Sequence, residues 1–510
     1  MEETLVKKSD ILKIKYKFFI YRILIYFSFL LIPIWIQKTQ SLNLFIQSII
    51  LLMYMSFMGS QWYLLGKELD HRLKIYYRAN SSVDRLVYRI IVGSIIMMLL
   101  FNIISLAPSV VATYIFWTLF VVLGFFYSWP TRGKIIQESV SDQFSEFRYL
   151  DSFEKTVLFL SIFTFFISLP ELPMFENIEA LKLYFDPQEK VSVVLWNYLS
   201  ILYLPFKSFP KLYNLIWSFH FYFFGVGTFL FSLYCILRYF FSRRLSLLGI
   251  FSVISTWSFS RILNMDYFYS LSSTISLIWL WSYMWSTKSS TYRSGLLTGL
   301  VSAYATAINP LAIFLFVFST LGMSKFFLKD KTQWYIKQWL KYNILGFVIA
   351  LSIFAQNVDS VTISYLNFDI FLEQLGDHLY RKAFFVISPI GFILALLFYS
   401  KKSSNFLTII NFDRSKFIEV FYGLLGIFLV GLLLDKSFFE GLSLIWIIAI
   451  FSLIPIEWVF QSISRLRSKR NLIYALYILV CILDSHLENR IRIVAKMFLD
   501  SESFKFFIQL

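Results

Sequence analysis

The chain has 510 residues, of which 58% are hydrophobic and 15% charged, and its formal net charge is +16. This balance excludes an ordinary soluble domain and predicts an all-α, polytopic membrane protein. Because the lysines and arginines form short clusters between apolar runs, we expect them to orient helices and meet membrane lipids, and we expect no nucleic acid partner. The two cysteines, Cys235 and Cys481, lie in apolar runs and indicate no disulfide framework.

Apolar runs long enough to cross a bilayer recur along the chain and predict about 13 to 15 transmembrane helices. Breaks at Pro108, at Asn264 and at Asn309 with Pro310 can each mark a turn or a kink. The predicted spans are 18–36, 44–66, 88–106, 110–128, 154–170, 212–237, 245–261, 266–286, 294–309, 310–324, 342–357, 383–400, 416–434, 440–460 and 471–484.

The spans group into four predicted regions. Residues 1–128 form an N-terminal four-helix membrane region, which can serve as a platform for a membrane protein partner, and residues 129–153 form a polar cytoplasmic linker. Residues 154–325 form a core with an acidic outer loop at 171–211. Residues 326–510 form C-terminal membrane helices with an outer loop at 359–382.

Basic residues predict the orientation of the chain. With a cytoplasmic N-terminus, every inside loop carries lysine or arginine residues, as the positive-inside rule requires. Acidic residues then concentrate outside, in the loops 171–211 and 359–382 and at the break that contains Arg261 and Asp266. The short outer loops favour a bacterial inner membrane.

Three features follow one another inside the core region. Arg243 and Arg244 form a basic turn, the segment from Ser260 to Asp266 (SRILNMD) interrupts two apolar runs, and a helix with the pattern GLLTGL begins at Gly295. Charged residues such as Arg261 and Asp266 are costly to retain between two membrane-spanning runs, which favours a functional role for this break. Gly295 and Gly299 predict close helix packing, which needs no ligand.

This order of features resembles the GT-C superfamily of integral-membrane glycosyltransferases, to which protein O-mannosyltransferases and aminoarabinose transferases belong. The resemblance covers about residues 152–325 and implies a GT-C-like core that takes its sugar from a polyprenyl-phosphate carrier. Asn264 stands where the family has a second arginine. Glu171 and Glu176 stand where the family commonly has adjacent acids in its first outer loop.

Sugar transfer from a lipid phosphate needs a base for the acceptor and cations for the leaving phosphate. Glu171, close to the end of its helix, is the first candidate for the base and Glu176 the second, with Lys182 as a weaker substrate contact; the alternative is that the acids are solvated loop residues. Arg261 can clamp the phosphate or pair with Asp266 at the interface. Asp266 can hold Arg261, bind a divalent cation or fix the acceptor.

The outer loop 359–382 ends in Arg381 and Lys382. These cations can close over the phosphate of the substrate, or they can anchor a helix end at the interface. No zinc motif, P-loop or dinucleotide fingerprint accompanies them in the sequence. The expected function is therefore transfer of a sugar from polyprenyl phosphate to a lipid, glycan or protein acceptor on the outer face of the cell envelope.

Two other function classes stay open. A catalytically silent GT-C-like scaffold would explain the missing acid pair and the missing second arginine. A polysaccharide polymerase or a flippase would also have many spans. We would expect several arginines in a longer outer loop for the polymerase, and mid-helix charges with internal repeats for the flippase.

Overall fold

The structure is a computed structural model of the chain. It describes residues 2–38, 44–73, 82–129, 145–167, 197–198, 201–202, 204–206, 226–255, 259, 267–288, 291–308, 312–327, 333–354, 452–456, 468–484, 491 and 495. These residues are almost entirely helical and include no strand, so the predicted all-α class is confirmed for this part of the chain.

The helices follow the predicted spans. Each predicted span from 18–36 to 342–357, and the span 471–484, overlaps a helix, whereas 383–400, 416–434 and most of 440–460 lie outside the described residues. The helices are α1 (Glu2–Leu30), α2 (Ile32–Lys38), α3 (Leu44–Leu73), α4 (Ser82–Ile104), α5 (Ser109–Ser128), α6 (Ser145–Arg148), α7 (Ser152–Ile167), α8 (Gly227–Phe240), α9 (Arg243–Ser255), α10 (Tyr267–Lys288), α11 (Tyr292–Ile308), α12 (Ile313–Phe327), α13 (Gln333–Phe354) and α14 (Arg470–Asp484).

Three helical stretches among the described residues are long and apolar enough to cross a membrane: Ile49–His71, Val83–Ile104 and Ser109–Ser128. Shorter apolar stretches occur at Gly227–Arg238, Ile313–Ser324 and Arg470–Leu483. Helix α5 leaves Val110 65% and Val122 58% exposed, and such an apolar face suits contact with lipid. These helices support a membrane protein, and the larger number of spans stays a prediction.

Two of the breaks between described helices lie close to prolines. Instead of one span over 18–36, helix α1 begins at Glu2 and a break at Leu31 separates it from α2. Pro33 explains the break because its nitrogen cannot donate the hydrogen bond that a helix requires. At Pro108 the predicted split is confirmed, since α4 ends at Ile104 and Pro108 is the N-cap of α5.

By its internal contacts the chain divides into two compact units. Unit 1 comprises Met1–Arg148, Met174–Phe224 and Ala350–Val358, and unit 2 comprises Tyr149–Pro173, Gly225–Ile349 and Asp359–Leu510. The three stretches of membrane-spanning length all belong to unit 1. The region boundaries near residues 128, 153 and 325 stay predictions.

Unit 1 is built on close packing of α3 against α4. A Cβ atom at Gly66 would collide with the carbonyl of Arg89, and one at Gly93 with the carbonyl of Trp62, so the two helices approach at backbone distance. Both helices extend beyond their predicted spans and place charges between them. Nε of Arg89 donates to Asp70 Oδ2 at 3.1 Å and Nη1 donates to the Tyr63 hydroxyl at 3.2 Å.

Unit 2 packs α11 against α13 in the same way. A Cβ at Gly295 or Gly299 would collide with the carbonyl oxygen of Trp339 or Asn343, which confirms the predicted close packing of this helix. Nδ2 of Asn343 donates to Thr320 Oγ1 of α12 at 3.0 Å. This part-buried hydrogen bond joins α12 to α13, as polar contacts between neighbouring helices do in membrane proteins.

Candidate functional site

All seven predicted site residues lie outside the described residues: Glu171, Glu176, Lys182, Arg261, Asp266, Arg381 and Lys382. The structure describes the helices on either side of several of them. Helix α7 ends at Ile167, four residues before Glu171, and Phe259 stands two residues before Arg261. The described geometry therefore concerns the helices that lead into the candidate site.

Helix α7 begins with a capping box formed by Asp151 and Glu154. The backbone N–H of Glu154 donates to Asp151 Oδ1 at 2.7 Å, and the backbone N–H of Asp151 donates to Glu154 Oε2 at 3.0 Å. These bonds satisfy two of the donors that a helix leaves free at its start. Two carboxylates are thereby held in place at the first turn of α7.

Arg243 at the start of α9 binds the second of these carboxylates with two parallel bonds. Its Nε donates to Glu154 Oε1 at 2.8 Å and its Nη2 donates to Oε2 at 2.7 Å. Nη2 also donates to the carbonyl oxygen of Tyr149 at 2.9 Å. The Glu154 side chain is only 3% exposed and the Arg243 side chain 29%, so the carboxylate of this charge-assisted pair is removed from solvent and the guanidinium is only partly so.

Arg244 binds the first carboxylate. Its Nε donates to Asp151 Oδ2 at 2.7 Å. Burial raises the pKa of the Asp151 carboxyl, but the backbone N–H of Glu154, the Arg244 hydrogen bond and the charges of both arginines outweigh it, so this pKa lies below its ordinary value. We call Asp151, Glu154, Arg243 and Arg244 the double-arginine cluster.

The double-arginine cluster and a ring contact set the direction of α7 and α9. The cluster joins the N-terminal ends of both helices, and Phe165 in the last turn of α7 lies 6.5 Å, between ring centroids, from Phe259, just beyond α9. The two helices therefore run side by side in the same direction. Their C-terminal ends meet about 20 Å from the cluster, at 1.5 Å per residue.

Phe259 is the described residue closest in sequence to Arg261 on its N-terminal side, and it is buried. Only 1% of its surface is exposed, and its ring also stacks on Phe229 of α8 with 6.5 Å between centroids. The backbone that leads into the SRILNMD segment is therefore anchored between α7 and α8.

The double-arginine cluster was not predicted. Asp151 was assigned to the polar linker 129–153, Glu154 to the start of the core region, and Arg243 and Arg244 to an inside basic turn. One signal was present, because an Asp followed three residues later by Glu ahead of an apolar run is the signature of a helix start. Nothing in the sequence pairs these acids with arginines about ninety residues later, since that contact depends on tertiary packing.

No group of three or more histidine, cysteine or acidic residues suited to a metal occurs in the part of the chain that the structure describes. A divalent cation at Asp266 stays a prediction, because that residue lies outside the described ranges.

Comparison with known proteins adds no relative. No protein-family model matches the chain, and no curated protein or solved structure matches it either. The resemblance to GT-C glycosyltransferases stays a prediction from the order of features within residues 152–325.

Proposed function

We propose that the chain is a GT-C-like membrane glycosyltransferase that moves a sugar from a polyprenyl-phosphate carrier to an acceptor on the outer face of the membrane. The proposal places the transfer site where the loop after α7 meets the segment after α9. It draws on the sequence resemblance and on the described arrangement of these two helices.

The observation that carries the proposal is the contact between Phe165 and Phe259 at the shared end of α7 and α9. Glu171 follows the end of α7 by four residues, a reach of at most about 14 Å, and Arg261 follows Phe259 by two, a reach of about 7 Å. Chain length thus allows a carboxylate and a guanidinium to meet at this end. The double-arginine cluster supports the pairing by holding the opposite ends of both helices together.

In the proposed reaction, Glu171 takes the proton from the acceptor hydroxyl, with Glu176 as the competing base. The acceptor oxygen forms a bond to the anomeric carbon of the sugar, and the bond from that carbon to the phosphate oxygen breaks. The carrier phosphate leaves with the electron pair and is held by Arg261, which Asp266 would orient; in the alternative role, Asp266 would hold a divalent cation that would add positive charge beside the phosphate. Lys182, Arg381 and Lys382 add positive charge for the phosphate.

The test is sugar transfer by the purified protein in proteoliposomes, with a panel of radiolabelled polyprenyl-phosphate sugars and membrane lipid extract as acceptor. Replacing the correct base by glutamine, in Glu171→Gln or Glu176→Gln, should lower kcat by about 100-fold or more. Arg261→Ala should also reduce transfer strongly because it removes a phosphate contact.

The matched control is Asp435→Asn, which removes an acidic charge from the short outer loop expected between the predicted spans 416–434 and 440–460 and should leave transfer unchanged. Full activity in all three site variants would contradict the proposed site. Absence of transfer from every donor would instead favour the silent scaffold.

A further inference from the structure

Unit 1 contains a groove between α1, α3 and α5 that is independent of the proposed transfer site. Its volume is about 400 Å³, within the range of ligand pockets. On α1 it is lined by Arg22, Ile25, Tyr26 and Phe29, which share one helix face because they are spaced three, four and seven residues apart. The groove therefore runs along the helix for about 10 Å, at 1.5 Å per residue.

The two ends of the groove differ in polarity. Phe29 and Met53 line the apolar end, whereas Gln61 and Ser128 belong with Arg22 to the polar end. Gln61 accepts a hydrogen bond from the Tyr26 hydroxyl at 3.0 Å, so this polar side chain is already satisfied within the protein. Arg22 is the charged group of the lining.

The charge of Arg22 is not neutralised within the described residues. No carboxylate lines the groove there, and no ion pair among those residues involves Arg22. A guanidinium beside an apolar groove matches a ligand with an anionic head and an apolar tail. Phosphate oxygens can accept hydrogen bonds from the planar N–H donors of the Arg22 guanidinium.

The surroundings of the groove indicate where such a ligand comes from. Ile25 is 43% and Met53 46% exposed, so the groove opens onto an apolar surface, and α3 and α5 each include a stretch that is long and apolar enough to cross a membrane. At the polar end, Phe19 packs against Trp129 with 5.8 Å between ring centroids, and tryptophan is typical of the membrane interface. Arg22 lies one turn from Phe19, within reach of lipid phosphates.

We propose that this groove binds one anionic phospholipid from the surrounding bilayer, with its phosphate at Arg22 and an acyl chain along Tyr26, Phe57 and Phe29. The site stands on α1, α3 and α5, which carry none of the proposed transfer residues. It therefore does not rest on the proposed function.

The test is native mass spectrometry of the full-length protein in detergent, titrated with phosphatidylglycerol or phosphatidylcholine of identical acyl chains. We expect the wild type to bind phosphatidylglycerol about fivefold more tightly, because one arginine near the membrane surface favours an anionic lipid by about that factor. Arg22→Gln should abolish the preference. The control Lys17→Gln removes the same charge from an exposed position of α1 outside the groove and should keep it.

A second pair of variants tests the apolar end. Met53→Trp fills the groove and should weaken binding of both lipids several-fold, whereas Ile49→Trp, one turn away at an exposed position outside the groove, should not. This pair decides the matter if Arg22→Gln fails to fold. A wild type without head-group preference, equal loss in Arg22→Gln and Lys17→Gln, or equal binding by the two tryptophan variants would overturn the proposal.

Discussion

At the scale of single residues, Glu154 is the more buried of the two carboxylates in the double-arginine cluster. It accepts two hydrogen bonds from Arg243 and one from the backbone N–H of Asp151. Glu154→Ala should lower the free energy of unfolding by about 1 to 3 kcal/mol, because Arg243 loses both hydrogen bonds to this carboxylate and the capping box is broken. Unfolding in mixed micelles with increasing sodium dodecyl sulfate measures the loss.

Lys155 provides the matched control for Glu154. It is the next residue of α7, its side chain is exposed, and Lys155→Ala should change the free energy of unfolding by less than about 0.5 kcal/mol. Equal stability of the two variants would mean that the cluster does not hold α7 against α9.

Asp151 makes the stability of the protein depend on pH. Its pKa is lowered in the folded protein, so the unfolded chain binds more protons and stability rises with pH. The contribution is fully present above the ordinary aspartate pKa of about 3.9 and is lost as the pH falls through the lower folded value.

Asp151→Asn isolates this charge because asparagine is an equally good N-cap. We expect the variant to have a lower Tm than the wild type at pH 7 and the difference to shrink below about pH 4. A difference in Tm that stays constant from pH 7 to pH 3 would show that the Asp151 charge is not the source of this pH dependence.

At the scale of helices, the approach of α11 to α13 depends on Gly299. An added Cβ would collide with the carbonyl oxygen of Asn343, which belongs to the backbone and cannot move aside. Gly299→Ala should therefore force the helices apart and lower the free energy of unfolding by about 1 to 3 kcal/mol.

Gly346 gives the matched comparison on the facing helix. A Cβ there would lie 2.7 Å from the carbonyl oxygen of Leu296 and 3.1 Å from its side chain, a milder overlap. Gly346→Ala should cost less than Gly299→Ala in the same unfolding measurement. A larger cost at Gly346 would show that backbone contact does not limit this packing.

Sequence patterns predicted where the helices lie more accurately than where they begin and end. Hydropathy located the runs from 18–36 to 342–357 because lipid requires long apolar segments. It ended the second span near residue 66, whereas α3 continues to Leu73. It began the third span near residue 88, whereas α4 already begins at Ser82. Charged residues extend these helices because Asp70 and Arg89 neutralise each other across the interface, and a hydropathy window cannot detect such a pair.

The candidate site was predicted from residue types and their order, and these do not report contacts. Glu171 and Arg261 were chosen for their chemistry, and both lie outside the described residues. The pairing of Glu154 with Arg243 was missed because the two residues are far apart in the chain. Close helix packing at Gly299 was predicted because its cause, a small residue repeated every four positions, is local.

At the scale of the whole molecule, the proposed function requires a defined topology. Sugar transfer outside the cell needs the loop after α7 to face outwards, and this follows only if the N-terminus is cytoplasmic. The same topology puts the turn between α4 and α5 outside and the start of α7 inside. Both positions are described and exposed, so they can be labelled.

We expect a membrane-impermeant maleimide to label Ser109→Cys in intact cells and Tyr149→Cys only after permeabilisation. Ser109 is exposed at the start of α5, and Tyr149 is 82% exposed and contributes only its carbonyl to the double-arginine cluster. The parent chain serves as the control, because Cys235 and Cys481 are both buried and should not react. The reverse pattern of labelling would place the loop that carries Glu171 in the cytoplasm, where a donor presented on the outer face could not reach it.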